Sequence, residues 1–373
     1  MKRLTLTLTA VLLALALVAG GCGAGQQATP AAPTGDGTPF NVVSLVNGNL
    51  GDASFFDSAQ SGLVELARRG IINYRTLELG GADADQPRWR STLIDVAESG
   101  EFDVIIVGTW QMEEFLAEIA PQFPDQMFVI YDSVVSEPNV VSLNYRQNDM
   151  GFIIGVFAGA MTMQADFPGI NEHNVIGFVG GEDGPVINDF LVGYIEGALS
   201  VNPDIRVDVR YVASFVDTAR ASELAAAMIT QNNVDIIWGV AGLSGNGAAE
   251  AAYDHGAWFI GVDSDQELTF TGVQAPLAGI TLTSGLKNIG ESLIWVFEEL
   301  AEGRTHWGQE IWLGLDMNGV GIVVDKNFAT TPPEVQQLTL QALEDVKSGR
   351  ITVGSAFGAN AVDVPALRDS VRP

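Results

Sequence analysis

Residues 234–266 run VDIIWGVAGLSGNGAAEAAYDHGAWFIGVDSDQ. Val234–Val240 is a short apolar run, Gly242 to Gly247 is a glycine-rich turn, Gly247–His255 has helical character, and Trp258–Val262 is a second apolar run. A strand, a helix and a strand in that order form a crossover unit, which joins parallel strands and not the two arms of a hairpin. Strands this uniformly apolar are covered by helices on both faces.

The alternation continues upstream. Val42–Val46, Val104–Val107, Met127–Tyr131 and Val140–Leu143 form a first set of expected strands; Val175–Val179, Val207–Val212, Val234–Val240 and Trp258–Val262 form a second. Helices are expected at Ser58–Arg69, Gln86–Glu98, Met150–Thr162, Ile187–Ser200, Thr218–Gln231 and Gly247–His255, with apolar residues at helical spacing such as Leu224, Met228 and Ile229. Two sets of strands predict an α/β protein of two similar lobes, each with a parallel sheet, the switch falling near Asn144–Asp149. The length from Phe40 onward agrees, at roughly 100–200 residues per domain.

The N-terminus speaks to location. Met1-Lys2-Arg3 is a basic start, and Leu4 to Ala19 is apolar or threonine without a charge, which together form an export signal. The run is short for a spanning helix, which needs about 20 apolar residues. It ends in Ala19-Gly20-Gly21-Cys22, at the only cysteine of the chain. This resembles a bacterial lipobox, with Ala19 in place of the usual leucine, and the resemblance implies cleavage before Cys22 and a lipid on its thiol. A plain secretory signal with an incidental cysteine is the alternative. One cysteine excludes intramolecular disulfides and multi-thiolate metal sites. Residues 23–39, GAGQQATPAAPTGDGTP, have too few large apolar groups to repay ordering and are expected to be a flexible tether.

Eighteen basic against 46 acidic residues give a net charge of -28. Nucleic acid is excluded as a partner, since its binding depends on Lys and Arg neutralising phosphates. Polyanionic ligands are disfavoured by the same field.

Ligands of open parallel sheets sit outside the carboxyl ends of the strands. The segments there are Asn47–Phe56, Gly108–Gln111, Asp132–Ser133, Gly180–Gly184, Ser214–Asp217, Ala241–Gly247 and Asp263–Gln266, rich in glycine, serine, carboxylates and aromatics. That composition suits binding and not nucleophilic catalysis. The histidines, His173, His255 and His306, stand in no metal or hydrolase motif. The turn from Gly242 to Gly247 lacks the third glycine of a dinucleotide fingerprint, having Glu250 there; it is either a ligand-approaching wall or an ordinary tight turn. Asp263 can accept hydrogen bonds from two vicinal hydroxyls, or it caps the next turn. Lys287, three residues after Ser284, is expected in the first turn of a helix running to Leu300, where it opposes the macrodipole and so calls for a ligand or carboxylate partner.

Taken together, Asp52-Ala-Ser-Phe-Phe-Asp-Ser-Ala59, Asn139 to Leu143, Gly155 to Ala160, Ile176 to Gly181, Ser214-Phe215, Ala241 to Gly247, Gly261 to Gln266, Thr283 to Asn288 and Ser348 to Val353 resemble the basic membrane lipoprotein family of ABC-transporter substrate-binding proteins. The resemblance implies a type I periplasmic-binding-protein fold: two Rossmann-like lobes joined by three crossovers and closing on a ligand. It divides the chain into a signal at 1–21, a tether at 22–39, a first lobe of 40–145 with about 270–303, a second of 146–269 with about 304–330, and a C-terminal helix and tail at 331–373. It also implies that Phe55 and Phe215 sandwich a purine, that Asp52 and Asp132 accept hydrogen bonds from base or ribose, and that Gly242, Asp263 and Lys287 grip the ribose. The family usually has asparagine where this chain has Phe56, so the specificity for the base, or the nucleoside class itself, is open. Trp110 and Trp238 stand near strand ends, either at the pocket or in the core.

The expected protein is thus a monomeric, exported, lipid-anchored receptor for a small molecule, working with an ABC permease. No cofactor, metal or catalytic residue is expected. A secreted nucleoside hydrolase lacks the calcium-binding aspartate cluster; a nicotinamide oxidoreductase lacks the fingerprint; a DNA-binding regulator lacks a helix-turn-helix before Phe40. A sugar or other small polar metabolite as ligand, and a sensor role on the same fold, stay open.

Overall fold

The computed structural model describes residues 37–373. The expected export signal, Cys22 and most of the expected tether lie outside these residues. The first lobe begins with β1 (Phe40–Val46), α1 (Phe55–Arg68), β2 (Ile72–Glu78), α2 (Gln86–Ser99), β3 (Val104–Gly108), α3 (Glu113–Ile119), β4 (Met127–Tyr131) and β5 (Val140–Tyr145). The second contains α4 (Gln147–Met161), β6 (Val175–Gly180), α5 (Pro185–Val201), β7 (Arg206–Tyr211), α6 (Thr218–Asn232), β8 (Ile236–Val240), α7 (Leu243–His255), β9 (Trp258–Asp263), α8 (Gln266–Val273), α9 (Ala275–Ile280) and β10 (Thr281–Lys287). The chain then passes through α10 (Ile289–Ala301), β11 (Glu310–Leu313), β12 (Val320–Ile322), α11 (Pro333–Lys347) and α12 (Val364–Ser370).

Two six-stranded sheets result, in the orders β11-β5-β4-β3-β1-β2 and β12-β10-β9-β8-β6-β7. Every pairing is parallel except β10 with β12. Both are doubly wound α/β sheets of the expected class. The central strands are buried along their whole length, β3 and β4 without exception, as strands covered by helices on both faces must be.

The lobe boundaries differ from the expectation. Residues up to 287 stay with the second sheet, because β10 pairs with β9, placing Ser284 opposite Gly261 and Leu286 opposite Asp263. Only α10 of the 270–303 segment returns to the first lobe, where Phe297 meets Phe40 with ring centroids 6.4 Å apart and Gly290 abuts Gly62 of α1. Residues 310–313 then join the first sheet beside β5, and only 320–322 join the second. The chain therefore crosses between lobes after β5, after β10 and after β11. The C-terminal segment is not a detached tail: α11 packs on α4, and Val371 accepts a hydrogen bond from the Val207 N–H of β7 at 2.8 Å.

Helices α4 and α5 form the closest packed pair of the second lobe. A Cβ on Gly197 would lie 2.0 Å from the Phe152 carbonyl oxygen, and one on Gly155 2.1 Å from that of Tyr194. Side chains at these places are excluded by backbone, which cannot step aside as a flexible side chain can. Gly197→Leu should therefore lower stability by about 1–3 kcal/mol or more through overpacking. Gly272→Ala, within α8 and with no atom within 4 Å of the added Cβ, should leave it unchanged or raise it by up to about 1 kcal/mol. Urea unfolding of the two variants checks this, and equal midpoints would contradict the packing.

Candidate functional site

The carboxyl ends of both sheets face one cleft, which encloses about 730 Å³ including the solvent at its mouth. From the first lobe the residues after β1, β2, β3 and β4 line it; from the second come those after β7 and β8, the ends of β9 and β10, and one side of α5. The backbone at these strand ends is unusual. Thr109, Asp132 and Asp263 have φ of 73°, 63° and 64°, a left-handed conformation that non-glycine residues adopt at a cost of roughly 1–3 kcal/mol. Gly242, with φ 54°, takes the equivalent place after β8 without a Cβ penalty. At each of these points the chain turns sharply, presenting a side chain or bare backbone to the cleft.

The floor holds the charges. The Lys287 ammonium donates to Asp132 Oδ1 at 2.6 Å, with the two side chains 1% and 6% exposed. The same ammonium lies 4.6 Å from the centroid of the Phe190 ring, 5.5 Å from Tyr145 and 5.7 Å from Phe55, so aromatic faces surround it on the sides Asp132 leaves open. Lys287 does not sit in a helix's first turn as the sequence suggested. It ends β10, α10 begins at Ile289, and Ser284 is a strand residue whose hydroxyl accepts from the Gln266 N–H at 3.1 Å. The expected carboxylate partner is present nonetheless.

Asp263 shares this environment. Its Oδ2 accepts from the Ser54 hydroxyl at 2.9 Å, a contact between the lobes. Burial pushes its carboxyl up to about 6, opposed by the nearby Lys287 charge. Burial likewise raises Asp132, against the pull of Lys287. Asp265, and not Asp263, caps the next helix, accepting from the Leu268 N–H at 3.1 Å.

Asp52 lines the cleft, yet both its oxygens also serve the first turn of α1, accepting from the N–H groups of Ser54, Phe56 and Asp57 at 2.9–3.1 Å. That arrangement presents Phe55 and Phe56 at the start of the helix. Their rings meet edge to face at 5.1 Å, and Phe55 also packs on Tyr131 at 5.5 Å. Phe215 stands on the opposite lobe in the turn after β7, packed over Gly181, where a Cβ would come within 2.2 Å of its ring. All eight residues expected to bind ligand thus line one cleft. Trp110 lines it too, whereas Trp238 is in the core, its Nε1 donating to the Gly261 carbonyl at 3.0 Å. Phe190, Val186 and Ile187 were not anticipated, since they lie on α5 and not at a strand end, and nothing in their spacing separates them from ordinary core residues.

The buried carboxyls set a pH dependence. Desolvation raises Asp52 and Asp235 from 3.8 to about 7, and Asp189 and Asp263 to about 6. Between pH 4 and these values the folded state binds more protons than the unfolded, so stability falls as pH rises through that window. The melting temperature of the ligand-free protein should be several degrees higher at pH 5 than at pH 7.5. A melting temperature that rises over the same interval would contradict the burial of these groups.

Residues 40–354 match the family model described as "ABC transporter substrate-binding protein PnrA-like". A CD4+ T-cell-stimulating antigen of Listeria innocua is 29% identical over 339 residues, covering 86% of this chain and 91% of the relative. The ABC transporter nucleoside-binding protein BmpA of Lactococcus lactis is 27% identical, covering 95% of this chain and all of its own. Among solved structures, an ABC transporter solute-binding protein from Aeropyrum pernix superposes with a TM-score of 0.74 at 22% identity, over 90% of this chain, a likeness that speaks to the fold.

Proposed function

Because this chain belongs to the PnrA-like family of ABC transporter substrate-binding proteins, we propose that it binds a neutral purine nucleoside in the cleft between its lobes and delivers it to an ABC importer. The observation that carries this reading is the division of the cleft into two chemistries. At the floor, Asp132, Asp263 and Lys287 offer charged acceptors and a donor suited to vicinal hydroxyls. Beside this floor, Phe55, whose ring lies 5.7 Å from the Lys287 ammonium, and Phe215 stand on opposite lobes, each with a ring that can take a base face. The nucleoside-binding relative aligns with 95% of this chain. A free sugar would use only the floor.

In this reading Asp263 and Lys287 hold the ribose, Asp132 orients Lys287, Gly242 lets the ligand approach the backbone, and Phe56 narrows the base pocket. Nucleotides bind poorly, since a 5′-phosphate would enter a site lined by the carboxyl groups of Asp52, Asp132 and Asp263 and one ammonium, on a chain of net charge -28. Ligand draws the lobes together because it contacts both only in the closed state. The family implies an extracytoplasmic location, and no helix among the described residues is long and apolar enough to cross a membrane. A lipid on Cys22 would then supply the anchor, with residues 23–39 as tether, and the receptor acts as a monomer.

A thermal-shift screen over purine nucleosides, free bases, pentoses and amino acids tests the ligand class. Nucleosides should raise the melting temperature, and Phe55→Ala should cut nucleoside affinity by about 1–3 kcal/mol through lost stacking. A shift with pentoses and none with any nucleoside would overturn the reading.

A further inference from the structure

We infer that Asn47 reads the heterocycle, held as a hydrogen-bond acceptor by an amide relay that Glu182 anchors from the opposite lobe; the inference rests on the nucleoside reading above. Asn47 follows β1, lines the cleft and is 3% exposed. Its Nδ2 donates to Thr109 Oγ1 at 2.8 Å and to Gln111 Oε1 at 3.3 Å. Gln111 in turn donates from Nε2 to Glu182 Oε1 at 3.3 Å.

The chemistry of these groups orients the chain. An ionised carboxylate only accepts, so Gln111 must turn its amino end toward Glu182 and its oxygen toward Asn47. Asn47 must answer with its own amino end. Its Oδ1 is then left over, buried, with no hydrogen-bond partner among the described residues. A buried acceptor of this kind is costly to leave unmade and is normally paired in the working state. Oδ1 therefore selects a ligand edge that carries an N–H donor and rejects one that presents only a lone pair or a methyl group. Glu182 lies between β6 and α5 of the second lobe, whereas Asn47 and Gln111 belong to the first. The relay is complete only when the lobes meet, which couples discrimination of the base to closure.

Isothermal titration compares inosine with inosine methylated on its ring N–H, and adenosine with adenosine dimethylated on its exocyclic amine. In at least one pair the wild type should prefer the unmethylated nucleoside by about 10- to 100-fold. Asn47→Leu should bring that ratio near unity, and Glu182→Ala should reduce it by freeing the relay. The ratio, unlike affinity alone, is not moved by a general loss of packing. Methylated and unmethylated members binding equally to the wild type, or a ratio unchanged in Asn47→Leu, would overturn the inference while leaving nucleoside binding intact. A wild type that binds no nucleoside would refute both.

Discussion

The ion pair between Lys287 and Asp132 is the constraint around which the site is arranged. Lys287 is the last residue of β10 in the second sheet, and Asp132 follows β4 in the first. Directly after Lys287 the chain crosses back to the first lobe, so the pair sits beside one of the three hinge strands. A buried pair of this kind is weak evidence for stability, since desolvation of two charges offsets their attraction; removing one partner alone typically costs about 3–5 kcal/mol. Its retention is better explained by what it provides. A single ammonium, held by Asp132 and enclosed by the rings of Phe190, Tyr145 and Phe55, is presented beside Asp263 in a place that water reaches poorly. There, a hydrogen bond to the ammonium or to Asp263 is worth more than it is in water.

The backbone bears part of the cost of this arrangement. Thr109, Asp132 and Asp263 occupy left-handed conformations at three strand ends, and Ala213 and Gly242 do so just after β7 and β8. Strain concentrated where strands enter a cleft persists because the flanking sheet over-determines it. It aims short side chains inward that an extended continuation would carry past the cleft. Asp52 does related work by accepting from three N–H groups of α1, which places two phenylalanines at the cleft wall.

Much of the fold was legible because buried parallel strands are written as apolar runs. Val104–Val107 and Met127–Tyr131 stand out for that reason, and the structure ends them at or within a residue of the expected place. The missed strands are β2, β10, β11 and β12; the last two are only four and three residues long, and the first two break the rule. β2, INYRTLE, is an edge strand with polar residues exposed at intervals. β10, TLTSGLK, resembles a helix cap; its hydroxyls are satisfied in place, Thr283 donating to the Val323 carbonyl at 2.7 Å. Missing β10 also misassigned the lobes, since the crossing after Lys287 has no composition signal. That residues at strand ends line the cleft could be anticipated from position and type. Phe190 could not, because a helix residue facing a cleft and one facing a core have the same chemistry, and the Asn47 relay depends on distances that no local pattern records.

In the proposed nucleoside complex, Asp263 and Lys287 at the cleft floor hold the vicinal hydroxyls of the ribose. Calorimetry with a purine ribonucleoside and its dideoxy counterpart, on the wild type and on Asp263→Ala, tests it in one cycle. Loss of both hydroxyls should weaken wild-type binding by about 1.5–3 kcal/mol, the worth of hydrogen bonds to a charged group, and the difference should largely vanish in Asp263→Ala, since the two changes remove the same interaction. A dideoxynucleoside that binds the wild type as tightly as the ribonucleoside would rule out that role for Asp263.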